Sequence, residues 1–279
     1  MSTAPGPRAE GTRHRPWPRC RQCCGIALDL GSARTRAWLS GRGGIVDVPT
    51  LALPGDGEGE GAGDGCPVRR GAIVDTPGAA RMLDGLLGPG LPRGTRPLIV
   101  LAAPVLGGVA FRTEARAAVQ TLRPRGVLTV PAARAVAVAA GADLGRPLLV
   151  VDLGAHVTEA VLLTDGSVTD ARRTALGTAD LDARTPPARI ADAVVAMIST
   201  MLEQDRTPQT LDALGRGVLL AGGGALRPDI TYRLGGLLHA PVRPVPAPHT
   251  AAVRGAARLL EAAHTHPSAG APNEPVPLN

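Results

Sequence analysis

The run Asp29-Leu30-Gly31-Ser32-Ala33-Arg34-Thr35-Arg36-Ala37 returns in the second half of the chain as Asp152-Leu153-Gly154-Ala155-His156-Val157-Thr158-Glu159-Ala160. Both copies follow the pattern Asp-Leu-Gly-x-x-x-Thr-x-Ala, and both close an apolar strand (25 to 28 and 148 to 151). A repeat of this kind restricts the chain to folds made of two like halves. In each half a buried strand delivers a carboxylate to a glycine turn, and a second β-like run leads away. Exposed turn amides can meet phosphate oxygens while the carboxylate faces a metal or its waters. Two such turns across a cleft make a nucleotide clamp.

The rest of the chain supports the duplication. Strands are expected near 25 to 30, 35 to 40 and 43 to 48, split by glycine turns. A Gly-, Asp- and Glu-rich loop follows from Pro54 to Gly65, and then a helix with Thr76 as its cap and Pro77 at the first helical position. A strand at 98 to 102, a helix at 113 to 122, a short strand at 127 to 130 and an Ala-rich helix at 132 to 140 complete a βββαβαβα order. The second half repeats it. Strands at 148 to 153, 157 to 164 and 167 to 172 precede a helix from about Pro187 to Glu203. A strand at 217 to 221 runs into Gly222-Gly223-Gly224, followed by a helix, a short strand at Val242 and a helix from Ala251 to Ala263. Alternating strands and helices give a largely parallel sheet in each half, with an antiparallel opening meander. The boundaries read as a basic, disordered arm at 1–24, domains at 25–145 and 146–263, and a Pro-rich disordered tail at 264–279.

Composition excludes several functions. All 30 basic residues of the 279 are Arg. A chain without Lys has no Walker-type phosphate loop and no Schiff-base chemistry. Aromatic residues make up 1% of the chain, too few for platforms that stack nucleic-acid bases. The net charge of +6 is concentrated in the arm, where Arg8, Arg13, Arg15, Arg19 and Arg21 outweigh Glu10, so the body is near neutral. With no signal-peptide or membrane-length apolar run, the expected location is cytoplasmic. Cys20-x-x-Cys23-Cys24 with His14 could supply zinc ligands, but the second ligand pair of an ordinary zinc module is missing. Cys24 therefore reads as a packed thiol.

Gly222-Gly223-Gly224 stands between an apolar strand and a helix, where backbone without Cβ atoms can approach a ligand. The set Asp29-Leu30-Gly31, Val151-Asp152-Leu153-Gly154 and Leu219-Leu220-Ala221-Gly222-Gly223-Gly224 resembles the phosphate-one, phosphate-two and adenosine motifs of the actin-like ATPases. Within them it is most similar to MreB, the bacterial rod-shape determinant. The resemblance spans about Gly25 to Glu261. It implies an actin-like (ribonuclease H-like) α/β fold of duplicated βββαβαβα domains around ATP and Mg2+. It assigns nucleotide contacts to Asp29, Gly31, Ser32, Asp152, Gly154, Thr158, Gly222, Gly223 and Gly224, with Asp29 and Asp152 facing the metal through water.

Three departures bear on activity. MreB carries Asp-x-Gly-Gly-Gly-Thr-Thr at the second turn, whereas Ala155, His156 and Val157 stand here and only Thr158 remains. The strand-to-helix junction Val130-Pro131-Ala132-Ala133 lacks the acidic residue that activates water in the family, so no catalytic residue is assigned. Between Leu181 and Gly217 there is room for little beyond one helix, where MreB inserts a small subdomain. The other small subdomain reduces to the Pro54–Gly65 loop. The expectation is an MreB-like protein of cell-shape or cell-wall machinery with weak or lost nucleotide binding and little hydrolysis. Its expected partners are a full-length MreB or envelope-growth proteins, with peripheral contact at the inner membrane face, and no nucleic acid; Leu91 beside Arg93 and Arg96 suits such an interface but reads first as a lone exposed leucine. The rival readings are an active ATP-binding filament protein and a small-molecule kinase of the same superfold.

Overall fold

The computed structural model describes residues 15–17, 20, 23–42, 44–52 and 65–266. His14, most of the Pro54–Gly65 loop and the chain beyond His266 therefore lie outside the described residues.

The first half contributes β1 (Gly25–Leu30), β2 (Arg34–Leu39), β3 (Ile45–Pro49), a small hairpin of β4 (Val68–Arg69) and β5 (Ala72–Ile73), α1 (Thr76–Leu87), β6 (Leu98–Ala103), α2 (Gly108–Ala118), β7 (Gly126–Pro131) and α3 (Ala132–Ala140). The second contributes β8 (Leu148–Leu153), β9 (Thr158–Thr164), β10 (Ser167–Thr174), α4 (Pro187–Gln204), α5 (Gln209–Arg216), β11 (Val218–Ala221), α6 (Pro228–Leu238), β12 (Val242–Pro244) and α7 (Ala251–Thr265). Two five-stranded sheets result, ordered β3-β2-β1-β6-β7 and β10-β9-β8-β11-β12. In each, the opening meander is antiparallel and the later strands add in parallel through helical crossovers. The sequence repeat is thus a repeat of topology.

The central strands explain why the halves look alike. β1 (GIALDL) and β8 (LLVVDL) share one burial pattern, fully buried up to the aspartate. Strands covered on both faces read as unbroken apolar runs. The run stops where the chain meets the cleft, and there the carboxylate appears.

Helices α3 and α7 form a layer between the sheets. Ala133, Val136 and Ala137 of α3 and Val253, Ala256 and Leu260 of α7 join Ala27 and Val100 of the first sheet and Val150 and Val161 of the second in one buried cluster. The two helices meet almost backbone to backbone, since a Cβ on Gly255 would lie 1.7 Å from the Ala135 carbonyl oxygen. Two further cores sit on the outer faces, α1 and α2 against the first sheet and α4 and α6 against the second. The expected α/β architecture with reduced inserts is what the chain adopts.

Local differences have identifiable causes. Asp75, not Thr76, caps α1, its carboxylate accepting from the Gly78 amide at 2.8 Å. The Thr76 hydroxyl instead donates to Glu114 Oε2. Helix α2 begins at Gly108, earlier than its apolar spacing implied, and its first turn carries Phe111 into the core. The region 181–217 holds two helices rather than one. The second, α5, is organised by Asp205, whose carboxylate accepts from the amide and hydroxyl of both Thr207 and Thr210. The hydroxyl bonds from Thr207 and Thr210 lead in holding Asp205 below the usual carboxylate range.

The termini are corrected too. His264 belongs to α7 and is fully buried, so the ordered chain runs past the expected start of the tail. Trp17, within the presumed arm, stacks on the His264 ring at 3.8 Å with planes 6° apart. Trp17 also donates its indole N–H to the Cys23 carbonyl at 3.0 Å. The stacked indole and imidazole tie Trp17 to the end of α7. Leu91 packs partly buried against the first-half core rather than standing alone and exposed. Among the described residues no helix is long and apolar enough to cross a membrane.

Candidate functional site

The two aspartates sit at the same register position in their sheets and open onto one cavity of about 320 Å³ between the halves. That volume is at the lower end for small-molecule sites. The first turn brings Asp29, Gly31 and Ser32, and the second brings Asp152, Gly154 and His156. Gly222 and Gly223 close a third side, with Ala132 and Val136 of α3 and Ala252 of α7 behind them. Two residues placed in the site by resemblance turn away. Thr158 is buried and donates its hydroxyl to the Leu176 carbonyl at 2.8 Å. Gly224 is buried against Leu153, whose Cβ would stand 2.6 Å from an added methyl. Gly222 sits at φ +81, where a Cβ would come within 2.4 Å of Asp152 Oδ1, so glycine is required for the third loop to reach the carboxylate.

Asp29 and Asp152 are electrostatically strained. Burial pushes Asp29 up to about 6, against a partial offset from Arg36. Asp152 is pushed up to about 7, first by burial and then by the charges of Asp29 and Glu159. A hard divalent cation between such carboxylates would offset their repulsion, and an all-oxygen donor set suits Mg2+.

Three charged residues that line the cavity were not anticipated, Arg34, Arg36 and Glu159. Arg36 pairs opposite Asp29 across β1–β2, and Glu159 pairs opposite Asp152 across β8–β9. Arg36 lies 3.8 Å from Asp29 Oδ2 and 3.2 Å from Asp47 Oδ2. Buried Glu159 accepts the Val105 and Leu106 amides at 2.9 and 3.0 Å, binding the second sheet to the loop after β6. The signal was present in the sequence as a charge seven residues after each motif aspartate.

The cleft is clasped as well as lined. Ser32 Oγ and His156 Nδ1 are 2.9 Å apart, a hydrogen bond from one glycine turn to the other. Farther out, Arg70 of the small hairpin donates to Asp180 Oδ1 at 2.6 Å and to the Ala175 carbonyl at 3.0 Å. Arg70 and the Gly177 amide help hold Asp180 below the usual carboxylate range despite some burial. Arg173 reaches back to the Arg70 carbonyl at 2.5 Å.

No protein-family model matches the sequence, and no curated protein sequence matches it either. Solved structures do. MreB5 of Spiroplasma citri bound to ADP superposes with a TM-score of 0.72 at 17% identity, over 87% of this chain and 97% of that one. The chain has the actin-like fold. The MamK double helical filament follows at a TM-score of 0.67 and 16% identity, over 85% of this chain and 98% of that one. The ethanolamine utilization protein EutJ from Carboxydothermus hydrogenoformans gives 0.63 and 17%, over 87% and 92%. These identities speak for the actin-like fold alone. In that fold the present cavity is the cleft between two duplicated halves.

Proposed function

We propose that this chain is an MreB-like, actin-fold protein of bacterial cell-shape or envelope-growth machinery that binds Mg2+–nucleotide weakly and hydrolyses little or none. Its two working domains are 25–145 and 146–263. Asp29 and Asp152 would hold the cation through water, with Gly31, Ser32 and Gly154 beside the phosphates and Gly222 and Gly223 beside the adenosine. The reading draws on the ADP in the MreB5 structure and on the filament formed by MamK.

One observation carries the weak-binding part. The Ser32–His156 hydrogen bond at 2.9 Å fills, with side chains, the passage between the turns where phosphates would lie. Hydrolysis is disfavoured for a separate reason. Water activation needs a base within hydrogen-bond reach of the attacking water. At the junction where the family carries one, Ala132 and Val136 face the cavity. Glu159 is already committed to two backbone amides.

Calorimetry with Mg2+–ATP on the parent and on His156→Gly tests the reading. Opening the passage should tighten binding about tenfold, the equivalent of roughly 1.4 kcal/mol. Equal or weaker binding by the variant would refute the blocking role of His156. Parent turnover on the order of 1 per second would reject the pseudo-ATPase reading.

A further inference from the structure

At the end of α7 farthest from the cleft, the chain termini bring together three soft or borderline metal ligands. Cys20 Sγ and Cys23 Sγ lie 3.0 Å apart. Cys23 Sγ lies 3.7 Å from His264 Nδ1. One ligand atom from each of Cys20, Cys23 and His264 falls within 4.8 Å of the others. We propose that Cys20, Cys23 and His264 form a zinc site that staples the N-terminal segment to α7.

The geometry supports a tetrahedral ion. Zn–S bonds of about 2.3 Å and Zn–N bonds of about 2.0–2.1 Å separate two sulfurs by about 3.8 Å and sulfur from nitrogen by about 3.5 Å. The sulfur–nitrogen spacing of 3.7 Å is already close to that value. The sulfurs, at 3.0 Å, need one thiol to rotate outward by roughly 0.8 Å. Two thiolates and a neutral imidazole balance the charge of Zn2+, and this donor set selects zinc over magnesium or calcium. Water completes the coordination.

The surroundings are those of a metal-bound histidine. His264 Nε2 lies 3.0 Å from the Arg15 carbonyl oxygen. Cys23 Sγ lies 3.7 Å from each ring nitrogen, so with the Nε2 proton given to the Arg15 carbonyl the Nδ1 lone pair is the one left for the ion. Trp17 covers the other face of the ring and fixes its plane. The ligand that the Cys-x-x-Cys motif lacks in sequence comes from 241 residues away.

Such an ion would act on the cleft mechanically. Helix α7 carries Ala252 at the cavity, Gly255 at the α3 crossing and His264 at the staple. Holding its far end fixes the helix that both halves share.

The test uses the full chain, stripped of metal under reducing conditions and titrated with Co2+ and then Zn2+. One Co2+ per chain with thiolate-to-metal charge-transfer and tetrahedral d–d bands, bleached by Zn2+, is expected. Zn2+ should raise the melting temperature of the parent and of a Cys66→Ser control, and leave Cys20→Ser and His264→Gln unshifted. Cys20 is only half-buried, so its serine variant should fold even if the histidine variant does not. Absence of the cobalt bands, an unchanged metal affinity in Cys20→Ser, or a Cys20–Cys23 disulfide in protein purified without oxidant would each overturn the proposal.

Discussion

Replacing Asp152 by Asn should make the protein more stable, and only above the acid range. The carboxyl goes from an ordinary 3.8 to about 7 in the folded chain, through burial first and then the charges of Asp29 and Glu159. Between these values the native state holds a proton that the unfolded chain has already released. Stability from this group is complete below pH 4 and is lost as the pH rises through about 7. At about 1.4 kcal/mol per pH unit the full cost would be about 4 kcal/mol at pH 8, an upper limit. Water at the cleft mouth relaxes the charge, leaving about 1–3 kcal/mol. Asn keeps the shape and has no charge to bury. Melting temperatures measured from pH 4 to 8 should coincide at the acid end and diverge by about 3–10 °C at pH 8, with the variant higher. Millimolar Mg2+ should narrow that gap by stabilising the parent alone. A variant less stable than the parent at pH 8, or a gap independent of pH, would refute the picture of two carboxylates forced together.

Two further outcomes follow from the architecture. Gly255→Ala puts a methyl into the Ala135 carbonyl, so it should destabilise by at least the roughly 1–3 kcal/mol typical of overpacking, read as a lowered denaturant midpoint. A heterologous filament needs two complementary end faces, and on the proposed reading the reduced subdomains delete one of them. Pelleting with Mg2+–ATP at low salt should leave the chain alone in the supernatant and carry it down with a full-length MreB filament. Long filaments of this chain alone, or no co-pelleting, would count against each half of that expectation.

How far the sequence disclosed the molecule depended on whether a feature was local. β1 and β8 were legible because both are uninterrupted apolar runs ending in Asp, and the glycine turns after them follow from local backbone rules. Helix α5 escaped notice because it is eight residues long and owes its start to the Asp205 hydrogen bonds rather than to apolar periodicity. Arg36 and Glu159 were passed over as ordinary strand residues. Only the pairing of β1 with β2 and of β8 with β9 turns them toward the aspartates. His264 was read as tail because Pro residues follow it, and nothing local announces that Trp17 lies against it. Thr158 was the opposite case, a motif match whose hydroxyl is spent on the Leu176 carbonyl.

The opposed pairs Asp29–Arg36 and Asp152–Glu159 also bear on the ancestry of the fold. Two identical copies facing each other across a dyad would carry either four carboxylates or two neutral pairs. The first arrangement repels itself, and the second has no net attraction for a cation. One arginine and one glutamate at the duplicated position put an opposite-charge pair on one wall and two carboxylates on the other. Symmetry is kept in the backbone and broken in the charge. A ligand entering the cleft therefore meets two chemically distinct walls and has one preferred orientation, which a perfectly repeated protein could not impose.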